Sequence, residues 1–278
     1  MKDVSERGYE VLSNTEISND VLEIQAAGEN NQAIIQALPL KNAKRILEIG
    51  CGTGCLSMEL AQILGDNTQV FGIDVSPEHI EFARRKAKEK GIGNVHYFVG
   101  DILQKRKNWK GNFDLIYEKY VLMYTTREDK TKEFLTEIKY YLKKGGKIVC
   151  IEPDVNFGYE RFPVPPKPLA DVLPKIVEYY QKNDLIDWRC GIKLFYYFKL
   201  AAFSGIEIKL VDGRIIAGGS PRELAEHAAH GIEDLIKPCL KELGIEDSEA
   251  QVVRQWNEYL NKDDTFLYTP IFVGQAEY

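Results

Sequence analysis

Long apolar runs are missing from this chain of 278 residues, and the stretch MKDVSERGYE at its start is charged. Nothing therefore reads as a membrane span or a signal segment, and the expectation is a cytoplasmic protein with no membrane partner. Cysteine is sparse and unpatterned. Cys51, Cys55, Cys150, Cys190 and Cys239 are odd in number and scattered, with no C-x-x-C spacing. That excludes a disulfide framework and gives no zinc signature, so no metal is expected and a reducing compartment suits the chain. Positive charge is not in excess: 36 Lys and Arg stand against 42 Asp and Glu, a formal net charge of -6. Nucleic acid and anionic membrane surfaces are poor partners for such a chain. The basic residues Arg84, Arg85, Lys86 and Lys88 interleave with Glu81 and Glu89 as a solvated helix face would, and Lys105, Arg106 and Lys107 read as a surface loop. Internal repeats and low-complexity tracts are absent. Length and an ordinary hydrophobic content of 44% fit a single domain spanning 1–278, monomeric or homodimeric, with a core carrying insertions.

What is present is concentrated in RILEIGCGTG, residues 45–54. Ile46, Leu47 and Ile49 suit a buried strand of a parallel sheet, and the following LSMELAQIL suits a helix. Between them Gly50, Gly52 and Gly54 permit a tight turn and let a ligand reach bare backbone. A nucleotide-like group belongs at such a strand end, beside a helix N-terminus. The dinucleotide fingerprint is nevertheless broken, because Cys55 stands where its third glycine belongs. Glu48 at the strand end also suits a cationic ligand better than a pyrophosphate.

TQVFGIDVSPEHIEFARRKAKEKG then reads as a strand, Gln69 to Asp74, followed by a helix with Ser76 as N-cap, Pro77 at its first position, and Gly91 and Gly93 as its stop. Asp74 at that strand end is placed to accept ribose hydroxyls. VHYFVGDIL supplies a third strand, Val95 to Val99, closed by Gly100 and Asp101. FDLIYEKYVLMYT supplies a fourth, Phe113 to Tyr117, ending at Glu118. LKKGGKIVCIEP turns on two glycines into a fifth, Lys147 to Glu152.

In order and content, these five signals resemble class I S-adenosylmethionine-dependent methyltransferases, and EIGCGTG over residues 48–54 resembles their first motif. The resemblance implies a Rossmann-like α/β fold with a seven-stranded, mostly parallel sheet whose final strand is antiparallel, and S-adenosylmethionine as cofactor. It implies cofactor contacts from Glu48, Gly50, Cys51, Gly52, Gly54, Asp74 and Val75. Asp101 would take the adenine amino group, Ile102 would pack on the adenine ring, and Glu118 would lie at the methionine end. The N/D-P-P-Y/F signature of amino-group methylation on bases and glutamine is absent after the fourth strand, where YEKY stands, so the expected acceptor is a small molecule, methylated at oxygen, nitrogen or carbon.

Three segments fall outside the cofactor half, residues 43–152. Residues 1–40 carry helical periodicity and read as a lid or a sheet-covering helix, with Tyr9 a candidate contact. Residues 154–191 are proline-rich and then helical. Ile192 to Gly205 reads as a helix ending at glycine, followed by the strand IEIKLVDG; residues 213–268 then read as two helices before the last strand, TPIFVGQA. Insertions on this side of such a sheet usually build the substrate pocket. Tyr124, Trp188 and Arg189 are candidate acceptor contacts, an aromatic wall favouring a flat molecule and Arg189 a carboxylate. His227 and His230, at i and i+3 on one predicted helix, and Tyr124 are candidate bases, weighed against ordinary surface or core roles. Other readings stay open: a cyclase or ligand-binding protein that holds the cofactor without methylating, a protein or nucleic-acid methyltransferase, and, least supported, a nicotinamide-dependent reductase.

Overall fold

Strand β1 (Arg45–Ile49) is buried along almost its whole length and occupies the middle of the sheet, as its apolar composition requires. The Asp114 carboxylate accepts both Lys44 and Arg45 backbone N–H groups at 2.9 Å and so fixes where the strand begins. The computed structural model describes residues 19, 22, 23, 26, 31–155, 161–218 and 235–278. β1 pairs in parallel with β2 (Gln69–Asp74) and with β4 (Phe113–Lys119); β3 (Val95–Val99) lies outside β2, and β5 (Leu142–Pro153) lies outside β4. β6 (Arg161–Phe162), β7 (Ser204–Ala217) and β8 (Phe266–Glu277) complete the sheet, with β8 antiparallel between β5 and β7. The expected mostly parallel sheet with an antiparallel final strand is therefore present, enlarged to eight strands by the two-residue β6, which pairs with Phe266 and Leu267. No periodicity announces a strand that short.

Among the described residues the helices are α1 (Asn31–Ala37), α2 (Cys55–Leu64), α3 (Pro77–Glu89), α4 (Glu128–Lys139), α5 (Leu169–Lys182), α6 (Leu194–Leu200), α7 (Leu240–Leu243) and α8 (Glu249–Leu260). α3 begins as its sequence demands: the Ser76 hydroxyl accepts the His79 N–H at 3.3 Å, and Pro77 occupies the first turn. Gly91 follows with φ 66°, a conformation costly for any side chain. Alternate residues of each central strand feed two cores. Ile46, Val70, Leu115 and Val149 face α1, α2 and α3, while Leu47, Ile73, Ile116 and Ile148 face the helices that follow β4.

The two insertions join one another. Gln255 of α8 accepts the Leu169 N–H at 3.2 Å and donates to the Lys167 carbonyl at 2.9 Å, while Tyr259 donates to Pro163. Tyr179 and Tyr180 of α5 donate to the carbonyls of Pro238 and Leu235. Their apolar faces belong to the same core as one side of the sheet. The predicted helix over Ile192–Gly205 is shorter than expected: a 3-10 turn (Gly191–Lys193) precedes α6, which stops at Leu200, and the strand opens at Ser204. Ala202 takes the left-handed position (φ 56°) that glycine was expected to supply, and the Lys139 ammonium binds the Ala201 and Ala202 carbonyls.

Candidate active site

The turn leaving β1 has glycine at every second position. Gly50, Gly52 and Gly54 have φ of 66°, 49° and 74°, values an L side chain rarely adopts. Space forbids side chains as well: a Cβ on Gly50 would strike Val121, and one on Gly54 would strike the Tyr97 hydroxyl. The turn is tied to β2 by N–H groups of Gly50 and Cys51 on the Ile73 carbonyl, at 2.8 and 3.2 Å. It opens into α2 at Gly54. Leu22, from the segment before α1, lies over Gly52, and Glu23 pairs with Lys86 of α3. The described part of the N-terminal leader therefore crosses the glycine turn.

Asp74 ends β2 beside this turn, as expected. One carboxylate oxygen accepts the Gly52 N–H at 2.8 Å and the other the Ser76 N–H at 2.9 Å, with His79 Nδ1 3.8 Å away. The side chain is thus locked against the glycine turn, each oxygen keeping a second lone pair. Val75, 45% exposed, follows it, and Val99 at the end of β3 is 38% exposed. Asp101 lies beyond β3 and accepts the Leu103 N–H at 2.8 Å. The Ile102 side chain is buried in the core, and its neighbour Leu103 is exposed.

Glu48 lies beneath the turn, 4% exposed, on the face of the sheet that carries α2 and α3. Its neighbours include the hydroxyls of Ser57 and Tyr117, and the Tyr97 hydroxyl joins Ser57 at 3.0 Å and the Gly54 carbonyl at 3.1 Å. One Glu48 oxygen still has no bonded partner among the described residues. Burial outweighs the nearby hydroxyls and Lys119, and the carboxyl is pushed up from 4.5 to about 7. A buried carboxylate with one unbonded oxygen under a glycine-rich turn, a fixed Asp74 and exposed valines at two strand ends together fit a nucleoside with a cationic tail.

Glu118 was expected at the methionine end of the cofactor. It ends β4 as expected, yet it is fully buried on the opposite face, and one oxygen accepts the N–H groups of Val121 (2.9 Å) and Leu122 (3.2 Å). Sequence reading missed its partner. Glu152 of β5, also fully buried, accepts from Leu122 at 2.8 Å and Met123 at 3.3 Å. The signal was there: an acid in an otherwise apolar strand, the same feature that singled out Glu48.

The 3-10 turn (Leu122–Tyr124) that these acids hold carries Tyr124. The Met123 carbonyl accepts the Asp187 N–H at 2.8 Å, and the Trp188 carbonyl accepts the Val155 N–H at 2.8 Å. Tyr124, Trp188 and Arg189 are thereby gathered at the carboxyl ends of β4 and β5. Arg189 is paired with Asp154, and the buried Asp187 is bonded by Lys193 and the Tyr197 hydroxyl. The Trp188 indole N–H is buried and finds no acceptor among the described residues. Tyr9, His227 and His230 lie outside the described residues. Among the described residues no group of three or more His, Cys, Asp or Glu could hold a metal ion, and no helix is long and apolar enough to cross a membrane.

Comparison with known proteins gives three points of reference. Residues 40–192 match the methyltransferase domain family. A demethylmenaquinone methyltransferase of Lactococcus lactis subsp. lactis is 30% identical over 184 residues, covering 62% of this chain and 70% of the relative. A ubiquinone/menaquinone biosynthesis C-methyltransferase, UbiE, of Vibrio campbellii is 26% identical over 178 residues, and the chain spans 62% of its length. Among solved structures, Haemonchus contortus phosphoethanolamine N-methyltransferase 2, in complex with phosphomonomethylethanolamine and S-adenosylhomocysteine, superposes with a TM-score of 0.54 at 19% identity, over 89% of this chain and 52% of that one.

Proposed function

This chain belongs to the methyltransferase-domain family, the class I S-adenosylmethionine-dependent methyltransferases, and we propose that it methylates a flat, oxygen-bearing small molecule at the carboxyl ends of β4 and β5. The observation that carries the reading is the pairing of the glycine turn, which has a buried acid beneath it and Asp74 beside it, with an aromatic acceptor side a few residues away on the same sheet edge. When bound, the cofactor supplies a methyl group on a sulfonium, already activated for displacement. The chain's own work is therefore to hold and orient. Gly50, Cys51, Gly52 and Gly54 offer bare backbone, Asp74 accepts ribose hydroxyls, and Val75, Val99 and Asp101 take the base. Glu48 answers the positive charge of the ligand from below the turn.

On the acceptor side, the unpartnered Trp188 N–H suits a carbonyl or phenolic oxygen, and Tyr124 offers a flat wall with a hydroxyl. Relatives named for quinone methylation support a quinol-type ring as the acceptor class to try first. The joined insertions would shield it from water.

Titration calorimetry with S-adenosylmethionine, S-adenosylhomocysteine and NAD tests the cofactor half. Binding of the two sulfur ligands and none of NAD is expected; binding of NAD alone would overturn the reading. Asp74→Ala should weaken S-adenosylmethionine by about 1–3 kcal/mol, or about 5- to 150-fold. Trp188→Phe should raise KM for a demethylated naphthoquinol at least several-fold while leaving cofactor affinity unchanged. Equal KM values would remove Trp188 from the acceptor site.

A further inference from the structure

Glu118 and Glu152 put two carboxyl groups side by side in the core, both with no exposed surface. Between them they accept four hydrogen bonds from three consecutive backbone N–H groups, those of Val121, Leu122 and Met123. Each acid uses one oxygen for this. The remaining oxygens, Glu118 Oε1 and Glu152 Oε2, receive no N–H or O–H from the described residues, and the Cys150 thiol is the other donor that stands against Glu118. The Leu122 N–H is shared by one oxygen of each acid, at 3.2 and 2.8 Å, which sets the two carboxyls side by side where a single proton could serve both. The titratable groups around them come from β5 (Cys150) and from the segment before α6 (Cys190, with Asp187 and Lys193 beyond), and none is a free cation: Lys193 is bonded to both oxygens of Asp187. Burial keeps the Cys150 and Cys190 thiols protonated, and it raises both carboxyls above the ordinary range.

The turn they hold is strained and central. Tyr120, just before it, has φ 60° without being glycine. Val121 fills the space beside Gly50, and Met123 holds the loop that carries Trp188 and Arg189. We propose that Glu118 and Glu152 are a positioning pair that shares one proton and uses it to clamp the 121–123 backbone between the glycine turn and the acceptor loop. The proposal rests on the methyltransferase reading for its purpose, while the clamp itself stands on the geometry. A shared proton serves where a cation would need room: it links the carboxyls directly and leaves a single negative charge facing three N–H dipoles. Losing it places two negative charges together in the core, and the turn is released.

The test compares wild type, Glu152→Gln and Glu152→Ala by hydrogen exchange of the peptide covering residues 120–124 between pH 6 and 9.5, corrected for intrinsic rates, with S-adenosylmethionine affinity measured alongside. Wild type should lose protection by about tenfold or more from the low to the high end of this range, because loss of the shared proton sets two negative charges together beneath the turn. Glu152→Gln carries a permanent N–H donor in place of the shared proton, and its protection should stay flat. Glu152→Ala should be poorly protected throughout; should it fail to fold, the comparison of wild type with Glu152→Gln still decides. The same alkaline loss in Glu152→Gln, or none in wild type, overturns the proposal. Absence of S-adenosylmethionine binding in wild type would sink the functional reading and leave the exchange profiles to judge the pair.

Discussion

At the scale of the residue, the buried Glu48 costs the fold stability. The unfolded chain releases its proton near 4.5, and the folded protein holds it to about 7. Between those values the native state binds more protons, so stability falls as pH rises through this window. At about 1.4 kcal/mol per unit the loss approaches about 3 kcal/mol above pH 7. Glu48→Gln should therefore be more stable than wild type at pH 8 by about 1–3 kcal/mol, with the difference closing toward pH 4, and it should bind S-adenosylmethionine more weakly. Urea denaturation at the two pH values checks this; an unchanged difference would mean that the carboxyl is ionised in the fold. Glu48, Asp74 and the three glycines were legible in the sequence because their meaning is local: an acid at a strand end, or a turn no side chain could make. Tyr97 under Gly54 was not legible, nor was the inward turn of Glu118. Both depend on which strands become neighbours, and the Tyr97 hydroxyl meets a carbonyl 43 residues away in sequence.

At the scale of the element, β2, β3 and α3 fall where period, cap and stop place them, because each carries its own boundary signals. The end of α6 does not. Its terminus is set by Lys139 of α4 reaching the last carbonyls, a contact no local pattern encodes. The joining of the insertions was equally invisible: the sequence marks two helical segments but not that Gln255 bridges them. Replacing Gln255 by Ala leaves the Leu169 N–H and the Lys167 carbonyl without that partner and should cost about 1–2 kcal/mol. A thermal scan should show the loss, and calorimetry should show S-adenosylmethionine affinity unchanged. A weakened cofactor would instead mean that the insertions help shape the glycine turn.

At the scale of the whole molecule, one continuous core runs from β1 and β4 into α5 and α8. The helices of the two insertions are therefore not a separate folding unit. Unfolding followed by tryptophan fluorescence, with Trp109 in the sheet core and Trp256 on α8, should coincide with far-ultraviolet dichroism in a single transition. Two separated midpoints would show an independent lid. The position of β8 has a further consequence, for synthesis. β7 leaves the ribosome before the strand it must pair with, and β5 waits beside an empty lane for the same partner. Until residues 266–277 arrive, β5 and β7 each lack the strand that lies between them, and the open lane of β5 runs next to Glu152. The interval between translation of β5 and of β8 is thus when a nascent chain is most open to edge-to-edge association, and when a chaperone that covers strand borders would matter most.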